Sequence, residues 1–506
     1  MSLFPFESRQ AGVRLGQAVV ALAVALLAGC GSAYRPVVTP ISPSGPAAQP
    51  NSLAVVLSSP SASSNGVITI LDYSGDTIMA KATIGPGPSA FSVDQTGSNG
   101  YTVNSDHTLT NFPVSSSLQQ KNISYTTLPI TAQTVGLFSP SAGLWTADLD
   151  QNVANVLVGS PATFKLAIPV APTPIAVVGP STIGQRNYAI SQNNSNTPAG
   201  SAIPFGVTCN NSPASVTQTG EADALEVSTY TVSARIPLGK CPVYALQTPD
   251  ARRFFVLNRG SDTITVIDSQ NNKLNACTPF VNQDGRTVTC HPTLPLSTAA
   301  GLTGTNVPAV AGPVYAEYNA TTQQLVVADY DGNALSIIDV SVDVYGDDSA
   351  TFGTTFTVPV GKNPASVTIL ADGSRAYTAN QGDGAQNGSV TIVNMSSHTV
   401  EKTLGVVGHP RTVVSTSNSL YGKVYVASPD SPFLTIIRTD QDIVDTTLLV
   451  DGNVVDVRVN TQDATRFNVN NTSRIPGGGQ PCYLPPALML STYGPGYTLA
   501  DCQRIP

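Results

Sequence analysis

Between Asp250 and Asp268 the chain runs through two short alternating segments. Arg252 to Asn258 predicts a strand, Arg259 to Asp262 a turn punctuated by Gly260, and Thr263-Ile264-Thr265-Val266-Ile267-Asp268 a second strand. Apolar and polar side chains alternate there as in a half-buried antiparallel strand, because successive side chains leave opposite faces. The same strand, turn and strand return at Val326-Val327-Ala328-Asp329 before Leu335 to Asp339, and at Tyr377-Thr378-Ala379-Asn380 before Ser389 to Asn394. They return again at Tyr425-Val426-Ala427-Ser428 before Leu434 to Ile437. Weaker copies stand at Tyr101 to Asn104, Trp145 to Asp148 and Tyr188 to Ser191.

Each unit continues through a further strand into a Gly/Pro step, as at Ile236 to Pro242, Val358 to Pro364 and Val406 to Pro410. Proline donates nothing to a strand ladder, so pairing stops at these steps and the chain crosses to a new unit. Another strand follows, such as Ala365 to Leu370. Four strands per unit at a period in the mid-forties describe a β-propeller blade, and hence an all-β fold.

From Leu53 to Val459 these units resemble the YVTN family of propeller repeats, whose tetrapeptide Tyr377 to Asn380 nearly reproduces. The strands at Leu53 to Ser58, Val67 to Asp72 and Thr77 to Ile84 lack the innermost strand that opens the other units. Val454 to Val459 is an innermost strand without a continuation. Pairing the two ends makes a composite blade that closes the ring and removes its free edges. Eight four-stranded blades result, and a further strand at Phe467 to Asn470 leaves seven as the alternative. The resemblance implies ligand binding at the face shared by second-to-third-strand turns and crossovers. Lys240, Lys362, His409 and Arg411 would stand there on crossovers, with Arg259, Asp262, Asp331, Asp383 and Asp430 on turns. Turn chemistry alone also accounts for most of these residues.

Two spacings are stretched, by an insertion near Asn193 to Gly220 and a longer one over Leu274 to Val307. A smaller insertion carries Asp343, Asp347 and Asp348. The domain plan places a leader at 1–29, a Pro/Ser-rich tether at 30–51, the propeller at 52–469 and a tail at 470–506. In the leader, Arg9 and Arg14 precede an uncharged run from Ala18 to Ala28, the order of an export signal too short to span a bilayer. Leu27-Ala28-Gly29-Cys30 resembles the lipobox of bacterial lipoproteins, which implies cleavage before Cys30 and lipid on it. Gly31 is not Asp, so the same resemblance implies outer-membrane sorting in a Gram-negative envelope.

Of seven cysteines, six remain once Cys30 carries lipid. In an oxidising compartment they are expected to pair, and sequence proximity favours Cys209 with Cys241, Cys277 with Cys290 and Cys482 with Cys502. A net charge of −8 argues against nucleic acid as a partner. The four histidines are scattered, so no metal or cofactor is expected. Asp347-Asp348 and Asp329 to Asn333 offer oxygens for calcium, but Val340 stands where an EF-hand loop needs Glu. No nucleophile elbow or Ser–His pairing is present, so no catalytic residue is assigned. What remains is a monomeric, lipid-anchored binding or scaffold module for protein or glycan, with a lactonase- or lyase-like enzyme at the channel mouth as the alternative. Metabolic labelling with a fatty-acid analogue is expected to mark the parent chain and to leave Cys30→Ala unmarked; a parent chain that takes no label would contradict the lipid anchor.

Overall fold

The computed structural model describes residues 53–460 and 466–467, apart from 62, 74, 89, 95–96, 130–133, 139–142, 150, 180–185, 199–208, 210–212, 385–386 and 417–421. The leader, Cys30, the tether and the tail with Cys482 and Cys502 lie outside the described residues.

Each repeat unit folds into a four-stranded antiparallel sheet, and eight such sheets form the ring. In blade 7 the strands are Pro364–Ile369, Arg375–Asn380, Ser389–Asn394 and Thr399–Gly405, from the channel outwards. Blade 1 is composite: Asn453–Val459 pairs with Leu53–Ser59, followed outwards by Asn65–Asp72 and Thr77–Pro86. Its register sets Val55 opposite Arg458 and Val56 opposite Val457. Innermost strands touch from blade to blade around the whole circle, from Asn453–Val459 through Ala90–Val93 and onward to Thr412–Ser415, which returns to Asn453–Val459. Eight blades therefore stand and seven do not. Arg466–Phe467 completes no blade of its own; it adds a fifth strand to blade 6, on its innermost strand Pro313–Asn319.

The polar half of each alternation does not face water as a half-buried strand would have it. The second and third strands are covered on both faces because each blade is packed between two neighbours; Thr265, Thr378 and Thr391 are all buried. Only the outermost strands alternate with solvent, as in Thr231–Pro237. Between blades the apolar faces interlock. Tyr188 of blade 4 meets Phe254 of blade 5 at 4.5 Å between ring centres, and Tyr244 of blade 5 meets Tyr315 of blade 6 at 4.6 Å.

The buried polar residues satisfy one another by a recurring arrangement. The Asn ending the second strand donates to a Thr of the third strand: Asn380 Nδ2 to Thr391 Oγ1 at 2.9 Å, Asn258 to Thr265 at 2.8 Å and Asn104 to Thr110 at 2.8 Å. The crossover glycine lies over the same Asn. A Cβ on Gly85, Gly239 or Gly361 would stand 2.3, 2.7 or 2.6 Å from that side chain, which is why the step needs glycine. Backbone φ is positive at Thr173, Cys241, Gly312 and Asn363, each just before the proline that opens an innermost strand. Side chains also tie blades together at the channel. Arg458, ion-paired to Asp456 at 2.9 Å, donates to the Phe91 carbonyl of blade 2 at 3.2 Å. Ser366 Oγ of blade 7 accepts the Val413 N–H of blade 8 at 3.1 Å.

Both nearby cysteine pairings form: Cys209–Cys241 and Cys277–Cys290. The second closes an excursion that splits the outer strand of blade 5. Lys273–Leu274 pairs with Asp268 and Ile267, the chain leaves, and Thr293–Pro295 returns to pair with Thr265 to Thr263.

Blade 6 carries Asp329 where blades 2, 5 and 7 carry that Asn. Asp329 accepts the Ser336 hydroxyl at 2.6 Å, while its other oxygen has no hydrogen-bond partner among the described residues. Burial holds this carboxyl well above its ordinary range, outweighing the Ser336 hydrogen bond, and the nearby Asp262 adds to the rise. As pH climbs from the ordinary carboxylate range toward the folded-state value, the unfolded chain releases a proton that the folded chain keeps, so stability falls across that window. Asp329→Asn, which places there the amide that blades 2, 5 and 7 carry, should therefore stabilise the protein at neutral pH by about 1–3 kcal/mol. The gain should fade below about pH 4 in urea titrations; a gain independent of pH would refute this account of Asp329.

Candidate functional site

Crossovers and second-to-third-strand turns share one face. The Arg259 and Gly260 N–H groups donate to Cys241 and Lys240 carbonyls at 2.9 and 3.0 Å. On that face the charged side chains singled out from sequence stand mostly in local pairs. Arg259 grips Asp331 of the next blade through Nε at 3.1 Å and Nη2 at 3.0 Å, with its guanidinium over Tyr330. Its side chain is 1% exposed, so this pair is part of the blade junction. Asp262 accepts Ser297 Oγ at 2.9 Å and the Gly312 N–H at 2.8 Å, fixing the crossover into blade 6. Lys362 pairs with Asp383 at 2.9 Å in the open. The His409 ring and N–H both bond Asp430. Burial acts to raise the Asp430 carboxyl, but the His409 hydrogen bonds outweigh it and hold it below the ordinary range. Arg411 is buried, donating to the Val455 carbonyl of blade 1 at 2.7 Å. Lys240 is half-buried and its N–H donates to Ser261 Oγ at 2.7 Å.

Among the described residues no three His, Cys, Asp or Glu side chains are grouped to hold a metal ion. Two of the carboxylates considered for calcium are engaged within the fold. Asp331 holds Arg259, and the buried Asp348 accepts Arg253 Nη2 at 2.9 Å, Asn275 Nδ2 at 2.8 Å, and the His291 N–H and Nδ1, each at 3.0 Å.

That hub organises the opposite face. Two excursions leave from consecutive blades after the third strand, so they emerge side by side. The disulfide-closed one carries Asn275, Asn282, Asp284, Arg286 and His291; the other carries Asp343 to Asp348. Arg286 bridges them, bonding Asp343 at 2.7 Å and the Asp348 carbonyl at 2.8 Å. Tyr345 donates its hydroxyl to Asp284 at 3.0 Å, and Asn282 Nδ2 reaches Asp343 at 3.2 Å. Burial acts to raise the Asp343 carboxyl, but Arg286 and two backbone N–H groups prevail and keep it below its ordinary range. The Asp347 carboxyl is raised, by burial first and then by Asp343.

Between the excursions lies a cavity of about 220 Å³, with Arg253 and Asp348 in its lining and Phe280 and Tyr345 beside them. Phe280 and Tyr345 are 41% and 44% exposed. Gln270, Lys273 and Asp347 also line it, and no hydrogen bond or ion pair ties their side chains within the described residues. The sequence marked both insertions but did not join them. The signal was available: both spacings are stretched after a third strand, in adjacent blades, and that position fixes a common face.

No family model matches the sequence, and no curated protein matches it. Solved structures share the architecture. Apo AztD from Citrobacter koseri aligns with a TM-score of 0.54 at 10% identity, over 81% of this chain and 97% of that one. The dihydro-heme d1 dehydrogenase NirN in complex with DHE aligns with a TM-score of 0.52 at 14% identity, over 82% and 76%. At such identities the likeness is one of fold.

Removing the Asp348 carboxylate would leave Arg253 buried without its charge partner, which costs roughly 3–5 kcal/mol. Asp348→Ala should show that loss in urea unfolding and open the 275–292 excursion to limited proteolysis. Asp347→Ala, one residue away but half-buried, should stay within about 0.5 kcal/mol of the parent; equal effects would deny Asp348 its place as the hub.

Proposed function

We propose that the chain is an exported propeller, held to the membrane by lipid on Cys30, that acts as a binding module for protein or glycan and performs no chemistry of its own. The carrying observation is the contrast between its two faces. Around the turn and crossover face, acid meets base within the fold, and a ligand there would have to break existing pairs. On the other face two rigidly bridged insertions leave a polar cleft with side chains still able to bond. Rigid scaffolds presenting variable loops bind in this way. Two disulfides suit an oxidising, exported compartment. The net charge of −8 favours neutral or weakly cationic partners over nucleic acid. In a Gram-negative cell the anchor would sit in the outer membrane.

The experiment is twofold. Detergent-solubilised mature chain, immobilised, should retain an envelope component, and should do so equally with Lys362→Ala and Asp383→Ala. The same protein should leave a panel of lactones unhydrolysed with or without calcium, magnesium or zinc. Metal-dependent turnover would replace the binding module by an enzyme at the channel mouth.

A further inference from the structure

The cleft between the two insertions has chemistry that narrows its ligand. Its walls offer two partly exposed aromatic rings, Phe280 and Tyr345. Its polar groups able to bond are of both kinds: the Asp347 carboxylate accepts, the Lys273 ammonium donates, and the Gln270 amide does both. An apolar chain entering here would strip these groups of water and return nothing. A phosphate or carboxylate ligand would face Asp268, Asp347 and Asp348 in the lining. The one arginine in the lining, Arg253, is already committed to Asp348. Lys273 alone would have to balance that field.

A polyhydroxylated ring meets every condition. Its C–H face lies flat on an aromatic ring, and its hydroxyls both donate and accept at close spacing. We infer that the cleft formed by Gln270, Lys273, Phe280, Tyr345 and Asp347 binds a single unit of an uncharged saccharide, free or at the end of a glycan. This rests on the binding-module reading and names its ligand class. A cavity of about 220 Å³ is small beside the roughly 300–1,000 Å³ of drug-sized pockets, so it takes the end or a single unit of a glycan rather than an extended chain. The site is preorganised. The Tyr345 hydroxyl is held by Asp284, and Phe280 stands inside the loop closed by Cys277–Cys290, so little ordering remains to be done on binding.

The test uses the mature chain on an array of neutral, amino and uronic oligosaccharides, with titration calorimetry on the strongest. A neutral sugar should bind, and Asp347→Asn and Tyr345→Ala should each weaken it about tenfold or more. Gln270→Ala, at an exposed position that cannot threaten folding, should weaken it several-fold, while Lys362→Ala on the other face should change nothing. A blank array, or binding indifferent to all three cleft substitutions, overturns the inference. If the array is blank while the immobilised chain still retains an envelope protein, the saccharide site falls and the binding module stands; if retention fails as well, both fall.

Discussion

One antiparallel pairing closes the ring, and it joins the two ends of the repeat array: Leu53–Ser59 on Asn453–Val459. Each blade carries three strands buried on both faces, and such a sheet is stable only with a neighbour on either side. An open array would leave two blades half bare. Bringing together segments so far apart in sequence costs entropy, but that cost grows only with the logarithm of the span, to about 5 kcal/mol here beyond a constant. Against it, Leu53, Val55, Leu57, Val455 and Val457 are all buried at the seam, at about 1.5–3 kcal/mol each. Closure wins, and Arg411 and Arg458 then stitch the seam to blades 8 and 2 through main-chain carbonyls.

Much of this was legible because the blade is a repeated solution to one problem. Gly361, Asn380 and Thr391 recur as Gly239, Asn258 and Thr265, and as Gly85, Asn104 and Thr110, since an Asn under a crossover needs a glycine above and a hydroxyl beside it. Periodicity therefore carried the fold, and the ends of the pattern revealed the composite blade. The alternation misled in one respect. Thr265, Thr378 and Thr391 look solvent-facing in a single strand, and only stacking of whole sheets shows that they are interior.

The candidate site was less legible for the opposite reason: it does not repeat. Arg259, Asp262, Asp331, Lys362, Asp383, His409 and Arg411 stand out in sequence because they fall at corresponding places in successive blades. Places fixed by the repeat are also where the ring secures its own turns and crossovers, and the structure finds these side chains engaged there. The cleft depends on contacts that Asp348 makes with Arg253 of the repeat and with Asn275 and His291, which belong to no pattern. The ring is thus a support held by strand pairing, while the disulfides secure what is added to it, at Cys241 and across the neck of the 277–290 loop.

Hydrogen exchange on the propeller, before and after reduction, tests this division of labour most directly. The account predicts that amides of Leu53–Ser59 and Asn453–Val459 exchange slowly and together, through one opening of the seam. Reduction of Cys277–Cys290 should accelerate exchange within 275–292 and leave the seam untouched. Independent, rapid exchange at the two ends, or loss of seam protection on reduction, would contradict a ring closed at this seam without help from the disulfides.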